Sequence, residues 1–585
     1  MGAGGPSGRD VLGRAVKGQW RDVALGSALG AGHQAGEALV PVIIGLVVDR
    51  AVSRGDGGQL LLWTGALAVA YLILSFSFRF GARAGERASE AAAHGLRTDL
   101  VGRILDPAGG ADDGQLPGAL TALATEDARR VGAVNMALVL AVSALTALLA
   151  GAVFLLRISV PLGLVVLLGT PLLIWLGHLL SKPLERRSEA EQERAAHASG
   201  IAADLVAGLR VLKGIGAETA AVARYRGTSR DSLTATLRAT RAQAWQKGVV
   251  LALTGTFIAL VALVGGRLSA RGEISLGELV SAVGLALFLL GPLSELSWLN
   301  SEFAQGRASA ARIAAVLAAP PAVPAGTGRP AGPEPATTTT GGPGTATEGV
   351  PGTRAQGHVR LRGVHYGTLA GVDLDAAPGE VVGVVAPDPA DATALLRCLG
   401  RRGDPDSGSA ELDGVELTAL HPADVRAAIL VAEHDADLFE GTLADNVSAA
   451  ASPTADIAAA MAASGADEVA ASLPHGARTA VTERGRSLSG GQRQRVALAR
   501  ALAADPPVLV LHDPATAVDA VTEARIAAGI RDIRRERTTI LVTTSPVLLA
   551  VTDRVVLVEG GRVSATAAHT ELVRSRTDYR TAVLS

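Results

Sequence analysis

The chain has 585 residues, which is too many for one hydrophobic core, so its length predicts several domains. A formal net charge of −2 gives no reason to expect nucleic acid as a partner. Because Cys398 is the only cysteine, disulfide bonds within the chain are excluded, and we expect no metal site with cysteine ligands.

Six long apolar runs occupy the first half of the chain, and each approaches or exceeds the roughly 20 residues that a helix needs to cross a bilayer. They cover residues 23–48, 59–78, 133–156, 159–180, 249–265 and 276–299. Their number favours membrane-spanning helices over the buried helices of a soluble protein. The first run is too long and too far from the N-terminus for a cleaved signal peptide.

The basic residues between these runs predict the orientation in the membrane. The segment 182–247 holds twelve lysines and arginines, whereas the short loops hold few; these loops are 51–58, 157–158 and 266–275. Since positive loops stay on the cytoplasmic side, both termini are predicted to be cytoplasmic. The polar segments 79–132 and 181–248 are predicted to continue the helices into the cytoplasm, with turns near 106–118 and 208–218.

Residues 319–356 consist almost entirely of Pro, Gly, Ala and Thr, which predicts a disordered linker. After this linker, short Val- and Leu-rich strands alternate with helical stretches. This alternation indicates a mostly parallel sheet covered by helices.

The clearest functional motif is Leu488-Ser489-Gly490-Gly491-Gln492, followed by RQRVALARAL. A serine and two glycines that open a helix present N–H groups and the positive end of the helix dipole to an anion. With its helix and the following strand VLVL, the motif resembles the signature of ATP-binding cassette (ABC) exporters. The likeness to a six-helix, domain-swapped half-transporter covers nearly the whole chain.

The resemblance implies a multidomain fold. An all-α polytopic membrane domain with six transmembrane helices and long cytoplasmic extensions is expected over 1–318, the linker over 319–356, and an α/β nucleotide-binding domain of the P-loop type over 357–585. The turns 106–118 and 208–218 would then be coupling helices. The expected location is the cytoplasmic membrane of a bacterium, with the nucleotide domain in the cytoplasm.

In this family, two nucleotide domains meet head to tail, and each ATP lies between the phosphate loop of one domain and the signature of the other. The resemblance therefore implies ATP and Mg²⁺ as cofactors. It also implies a lipid bilayer, a second half-transporter and a transported substrate as partners.

The phosphate loop departs from the family pattern G-P-S-G-S-G-K-S-T. The stretch APDPADAT, residues 386–393, stands between the strand GEVVGVV and the helical run ALLRCLG. In this alignment Ala386 begins the loop, Ala392 replaces the lysine, and Thr393 retains the hydroxyl on the magnesium side. Pro389 and Asp391 replace glycines.

These replacements all predict weak or absent ATP binding. Proline lacks an N–H that should bond phosphate, and the loss of lysine removes charge-assisted hydrogen bonds. Asp388 and Asp391 are both expected to face the place where the phosphates would lie, and there repel them.

The residues expected to position magnesium and water depart from the family too. The strand VLVL should end in Asp-Glu but is followed by His512-Asp513-Pro514. Without a gap, His512 takes the magnesium position and Asp513 that of the general base; a one-residue gap makes Asp513 the magnesium ligand. The Q-loop glutamine falls on His434 and the switch histidine on Thr544.

Other family positions are retained. Tyr366 stands where an aromatic ring stacks on adenine, Glu483 precedes the signature where a coupling contact is expected, and Asp519 ends the D-loop sequence TAVD. Only the parts that this chain contributes to its own site are altered. The pattern therefore predicts the degenerate-site subunit of a heterodimer, which lends its signature to the partner's ATP.

Three polar residues in apolar runs, His33, Glu37 and Glu295, either line the substrate path or hydrogen-bond between helices. The substrate stays open among small molecules, lipids and peptides. Two other functions stay open as well: an importer with the exporter fold, for instance for a siderophore, and a non-transporting regulatory membrane subunit.

Overall fold

The computed structural model describes residues 5–111, 117–326, 328, 355–434 and 437–584. It divides into a helical unit, residues 1–103 and 115–318, and an α/β unit, residues 104–114 and 319–585. Most of the predicted linker 319–356 lies outside the described residues, as do residues 112–116 of the first predicted turn.

The described part of the helical unit contains nine α-helices, of which six have 28 residues or more. They are α1 (Gly8–Lys17), α2 (Trp20–Val47), α3 (Gly57–Ile104), α4 (Pro117–Ala122), α5 (Ala128–Ile158), α6 (Val160–Ala207), α7 (Leu209–Gly214), α8 (Glu218–Ala270) and α9 (Leu276–Leu317). Single π-helical turns follow α2 at Val48–Val52 and precede α5 at Leu123–Asp127.

Within the described residues, four helical stretches are long and apolar enough to cross a membrane: α3, Gly118–Ile158, α8 and α9. The helix α6 begins with a shorter apolar stretch, Val160–Leu173. The first apolar run lies in α2, where Gly, His, Gln and Glu residues interrupt the hydrophobic sequence. The predicted all-α membrane domain is confirmed.

The helices α2 and α9 approach each other closely at glycines. A Cβ atom on Gly45 would lie 2.3 Å from the Gly277 carbonyl oxygen, so only glycine permits this distance. Just beyond the crossing, Asp49 accepts hydrogen bonds from the Ser275 hydroxyl at 2.5 Å and from the Gly277 N–H at 2.8 Å. This carboxylate thus caps the start of α9 from the end of α2.

The α/β unit contains a four-stranded sheet of order β2-β1-β4-β5, a six-stranded sheet of order β12-β11-β3-β10-β9-β6, and the pair β7-β8. The strands are β1 (Val359–Tyr366), β2 (Leu369–Ala376), β3 (Val381–Val385), β4 (Ser407–Leu412), β5 (Val415–Glu416), β6 (Ile429–Ala432), β7 (Gly441–Thr442), β8 (Ala480–Val481), β9 (Val508–His512), β10 (Thr538–Val542), β11 (Arg554–Glu559) and β12 (Arg562–Ala567). The helices are α10 (Pro389–Leu399), α11 (Pro422–Ala428), α12 (Leu443–Ser448), α13 (Ile457–Ser464), α14 (Ala466–Ser472), α15 (Gly490–Ala503), α16 (Ala520–Ile533), α17 (Pro546–Leu549), α18 (His569–Ser575) and α19 (Thr577–Leu584).

The six-stranded sheet is parallel except for β12, as the alternation of strands and helices predicted. Its central strands β3 and β10 are buried at every position, because helices cover both faces. In the register of the sheet, Val542 lies opposite both Val384 and His512. The carboxyl ends of β3, β9 and β10 therefore meet at one edge, where ligands of such sheets bind.

The single cysteine lies inside this unit. Cys398 is in α10, only 1% exposed, and packs in the core against the four-stranded sheet. Burial raises the pKa of its thiol to about 12. The reactive thiolate is therefore scarcely populated in the folded chain at neutral pH.

Candidate nucleotide-binding site

The segment aligned with the phosphate loop is helical. The helix α10 begins at Pro389, so the positions of the second glycine through the lysine form its first turn. The N–H groups of Asp391 and Ala392 donate to the Asp388 carbonyl oxygen, at 3.1 and 3.3 Å. A phosphate cradle needs a glycine-rich loop whose N–H groups point at the ligand, and this turn directs them into the helix instead.

Asp388 is the N-cap residue of α10. Its backbone is extended, with φ −83° and ψ 117°, and its carboxylate accepts a hydrogen bond from the Ala390 N–H at 2.8 Å. A negative charge at a helix N-terminus interacts favourably with the helix dipole. The chain's own carboxylate therefore stands where a helix N-terminus would otherwise attract an anion.

Asp391 does not face the phosphate position, so that part of the prediction is wrong. Its side chain is 2% exposed and accepts a hydrogen bond from the Gly561 N–H at 3.0 Å, in the turn before β12. The reason is that residue 391 lies within a helical turn, which directs its side chain towards the neighbouring strand. A buried carboxylate with this partner is part of the domain's internal structure.

The remaining positions of the altered loop are also used internally. Ala392, at the lysine position, is 4% exposed and belongs to the hydrophobic core. The Thr393 hydroxyl donates to the Pro389 carbonyl oxygen at 2.8 Å, a bond within the helix. Ala386 is half-buried directly after β3.

The end of β9 brings Asp513 to Thr543, a residue that the sequence reasoning missed. The Thr543 hydroxyl donates to a carboxylate oxygen of Asp513 at 2.7 Å. The Asp513 N–H donates to the Val542 carbonyl oxygen at 3.0 Å. Asp513 has φ +45°, in the left-handed region that non-glycine residues seldom adopt. The threonine that directly follows the strand TTILV was the feature of the sequence that could have pointed to this contact.

His512 and His434 lie near each other at the same edge. Their ring centroids are 6.1 Å apart, and His512 Nε2 is 3.9 Å from Asp513 Oδ2. Within the described residues, no three His, Cys, Asp or Glu side chains come together as a metal site would require. Thr544, at the switch position, is exposed.

Tyr366 ends β1 and is half-buried. A Cβ atom on Gly403 would lie 2.2 Å from its hydroxyl oxygen and 2.6 Å from its Cζ atom, so this part of the side chain packs directly on Gly403. Where an adenine would stack, part of the aromatic ring is therefore already covered by the chain itself.

The signature opens α15 with a complete capping box. Ser489 accepts from the Gln492 N–H at 3.3 Å, and the Gln492 side chain accepts from the Ser489 N–H at 2.9 Å. Leu488 is buried just before the helix. The helix starts here because the side chains of serine and glutamine, three residues apart, can each accept from the other's backbone N–H.

The two signature glycines have different surroundings. A Cβ atom on Gly490 would meet only the Ala517 Cβ, at 3.9 Å, whereas a Cβ on Gly491 would lie 2.3 Å from the Ala517 carbonyl oxygen. Gly491 is therefore required for packing within this chain. Packing within the described chain does not require a glycine at 490.

Gln494 is the second residue that the sequence reasoning missed. Its side-chain amide donates to the Asp513 carbonyl oxygen at 2.8 Å and accepts from the Ala517 N–H at 3.0 Å. These bonds hold the signature helix against the segment that follows β9. The glutamine in RQR, two residues after the signature, was a signal that could have been noted.

Asp519 and Glu483 flank the signature region. Asp519 caps α16 and accepts from the N–H groups of Val521 and Thr522. The backbone N–H and the hydroxyl of Thr522 hold the pKa of this carboxyl below its usual value. Glu483 is exposed at the start of the short 3₁₀ turn Glu483–Gly485.

In the helical unit, the structure brings His33 and Glu37 together on α2. His33 Nδ1 lies 2.9 Å from the Leu74 carbonyl oxygen, and His33 Nε2 lies 3.7 Å from Glu37 Oε2. The Oε2 atom of Glu295, on α9, is buried and has no hydrogen-bond partner in the part of the chain that the structure describes.

Comparison with protein families gives two matches that agree with this division. Residues 23–293 match the model described as ABC transporter transmembrane region, and residues 369–516 match that described as ABC transporter.

Three curated relatives cover different shares of the chain. The multidrug efflux ATP-binding/permease proteins of Mycobacterium tuberculosis and Mycobacterium bovis are 29% and 30% identical, over 93% of this chain. The chain spans only 44% of the length of each. The ATP-dependent lipid A-core flippase of Thiobacillus denitrificans is 29% identical over 72% of this chain and 70% of its own length.

A solved structure of a bacterial Atm1-family ABC exporter with ATP bound has the same fold. It aligns over 98% of both chains with a TM-score of 0.71 and 23% sequence identity. At this identity the likeness concerns the fold alone.

Proposed function

We propose that this chain, which joins the transmembrane region and the nucleotide-binding domain of ABC transporters, is the degenerate-site subunit of a heterodimeric ATP-driven exporter. Its own nucleotide site binds ATP weakly or not at all and hydrolyses none. Its signature completes the active site of a partner half-transporter that has an intact phosphate loop. The proposed location is the cytoplasmic membrane, with the nucleotide domain in the cytoplasm.

The observation that carries this proposal is the helical turn in place of the phosphate loop. A phosphate that approached this turn would meet the Asp388 carboxylate, no lysine, and N–H groups that already bond within the helix. At about 4 Å, two like charges near a protein surface repel each other by up to about 4 kcal/mol.

The residues at the ends of β9 and β10 support the absence of hydrolysis. The Asp513 carboxylate bonds to Thr543, and the positions of the family's base glutamate and switch histidine hold Asp513 and Thr544 in the ungapped alignment. A misplacement of about 1 Å can lower a rate 10²-fold, and aspartate is one methylene shorter than glutamate.

The signature supports the second half of the proposal. A side chain at Gly490 would meet no described residue closer than 3.9 Å, and the helix N-terminus beside it presents the positive end of a dipole. A glycine without an internal packing reason, in this position, fits close approach of a nucleotide held by another chain.

The relatives support a transported substrate of a broad class. Their names state multidrug efflux and lipid A-core flipping for those proteins. We extend to this chain only the broad class, a small molecule, lipid or peptide moved across the cytoplasmic membrane. The short helix α7, between the long helices α6 and α8, is the proposed second coupling helix.

The length comparison fits a transporter built from two halves. The 556 aligned residues make up 44% of the M. tuberculosis relative, which is therefore more than twice as long as the shared segment.

The test compares the purified chain alone with the chain co-purified with an ABC half-transporter whose phosphate loop is intact, each in lipid nanodiscs with Mg²⁺ and ATP. The chain alone should show no ATPase above its own Asp513→Ala variant. The pair should hydrolyse ATP, and Asp513→Ala in this chain should leave that rate unchanged. Turnover by the chain alone that Asp513→Ala abolishes would refute the proposal.

A further inference from the structure

A cavity of about 690 Å³ lies between α2, α3 and α9 of the helical unit. Its volume is within the range of small-molecule sites, roughly 300–1,000 Å³. Most of its wall is apolar or aromatic; these residues are Val40, Tyr71, Leu74, Phe78, Leu287 and Phe288. Such a wall fits the hydrophobic part of an amphipathic molecule.

The polar part of the wall accepts hydrogen bonds at two adjacent atoms. A carbonyl oxygen only accepts, so His33 Nδ1 must donate its proton to Leu74 O, 2.9 Å away. In a neutral imidazole this leaves a lone pair on Nε2, which lies 3.7 Å from Glu37 Oε2. Two acceptors at this distance suit a hydrogen-bond donor between them.

Two further acceptors lie on α2 and α9, the helices that form part of this wall. Glu295 Oε2 and Gln34 Oε1 are buried and receive no hydrogen bond from any described residue. Glu295 is seven residues, about two turns, after Phe288 on α9, and it is close enough to Glu37 for the two side chains to interact electrostatically. Buried acceptors without donors are unfavourable, so a molecule that supplies donors would be stabilised here.

The described lining residues include no lysine or arginine to neutralise Glu37, the carboxylate in this wall. The aromatic rings of Phe78 and Tyr71 stand in the same wall and can attract a cation through their π faces. His33 and Phe78 are neighbours, with ring centroids 5.4 Å apart. The charge, the acceptors and the rings all favour a cationic ligand with hydrogen-bond donors.

We propose that this cavity binds lipophilic cations that carry N–H donors, that is, amphipathic primary or secondary ammonium compounds. Glu37, which lines the cavity, supplies the negative charge, and His33 Nε2 and the buried Glu295 carboxyl oxygen accept hydrogen bonds from the ammonium group. That these cations are transported rests on the proposed function. That the cavity binds them does not depend on it.

The test measures binding of dodecylammonium, dodecyltrimethylammonium and dodecanol to the full chain in nanodiscs, without ATP and without a partner. The three probes share one alkyl chain and differ in charge and in N–H donors. Competition with radiolabelled dodecylammonium, corrected for empty nanodiscs, gives the affinities. The variants are Glu37→Gln and Glu295→Gln, which keep side-chain size, and Glu90→Gln is the control because that carboxylate is exposed on α3.

Dodecylammonium should bind at least about tenfold more tightly than dodecanol, with the trimethyl compound between them. Glu37→Gln should weaken dodecylammonium about tenfold, and Glu295→Gln should weaken it less because its amide oxygen still accepts a hydrogen bond. Both variants should leave dodecanol unchanged, which also shows that they are folded. The Glu90→Gln protein should behave like the original chain. Equal binding of the ammonium and the alcohol, or affinities that neither glutamine variant changes, would overturn the assignment.

The outcome is independent of the degenerate-site proposal. Cation binding by the chain alone would stand even if its own nucleotide site proved active. Conversely, an asymmetric ATPase would stand even if this cavity bound no cation.

Discussion

Two aspartates in the segment 386–393 have different partners although only two residues separate them. Asp388 caps α10 at the surface, and Asp391 is buried against the Gly561 N–H. Alignment of this segment with the family's phosphate-loop pattern placed both carboxylates at the phosphates, because the pattern describes a loop and not a helical turn. The difference arises because proline at 389 suits the first position of a helix, after which residue 391 turns inward.

Replacing Asp388 with alanine should remove the helix cap, because alanine offers no acceptor to the Ala390 N–H. We expect the free energy of unfolding of the nucleotide domain to fall by about 1 kcal/mol. Asp388→Asn, which retains the acceptor, should change it by only a few tenths. Calorimetry of the full chain measures the difference, and equal destabilisation by both variants would contradict the capping role.

We predict that one signature glycine is needed for ATPase activity and the other for the stability of the chain. Gly490→Ala should leave the stability of this chain unchanged but abolish most ATPase activity of the proposed heterodimer, because in that proposal the partner's nucleotide lies next to this glycine. Gly491→Ala should destabilise the chain itself, since its Cβ would lie 2.3 Å from the Ala517 carbonyl oxygen. Thermal unfolding and ATPase rates check both. Full ATPase activity in Gly490→Ala would remove the reason for assigning this glycine to a partner site.

At the scale of elements, some features follow from sequence spacing and others depend on sheet register. Ser489 and Gln492 have the spacing of a capping box, so the start of α15 is readable from the chain alone. The bond between Asp513 and Thr543 requires knowledge that β9 and β10 are neighbours and in which register. The partner of Asp391 is 170 residues away, which no local pattern indicates.

Restoring the family residues in the loop should fail to restore a nucleotide site. The combined change is Ala386→Gly, Pro389→Gly, Asp391→Gly and Ala392→Lys. Loss of Asp391 leaves the buried Gly561 N–H unpaired, which costs about 1–3 kcal/mol, and a lysine at 392 begins in the hydrophobic core.

We expect a lower unfolding temperature and no gain in binding of radiolabelled ATP. The control is the pair Ala386→Gly and Pro389→Gly, which leaves both buried positions intact. Tight ATP binding by the fourfold variant at an unchanged unfolding temperature would show that α10 converts readily to a loop.

Two glycines of α2 provide a matched test of helix packing. Gly45→Ala places a methyl group 2.0 Å from the Ser281 Oγ atom, so α2 and α9 must move apart and the unfolding temperature should fall. Gly32→Ala in the same helix meets nothing within 4 Å and should be neutral or stabilising, by up to about 1 kcal/mol. Thermal unfolding in detergent compares them, and a similar response of both variants would contradict the close crossing.

At the scale of the whole molecule, composition and periodicity were sufficient to predict a helical membrane part followed by an α/β part. The six apolar runs correspond to α2, α3, α5, α6, α8 and α9, although α2 itself is too polar to qualify as a span by hydropathy. Two of the polar residues of α2, His33 and Glu37, line the cavity. Sequence identified these residues, but their juxtaposition with Glu295 depends on how α2 and α9 pack.

The buried thiol of Cys398 has a practical consequence for testing the proposed heterodimer with its two unequal sites. With its only native thiol shielded in the core, the chain needs no substitution before a spin label or fluorophore is attached at an introduced surface cysteine. One label beside Gly490 and a second on the companion subunit would report the gap between them by pulsed dipolar spectroscopy. ATP-driven closing and reopening of the unequal sites could then be followed in a protein that keeps every residue of its native interior.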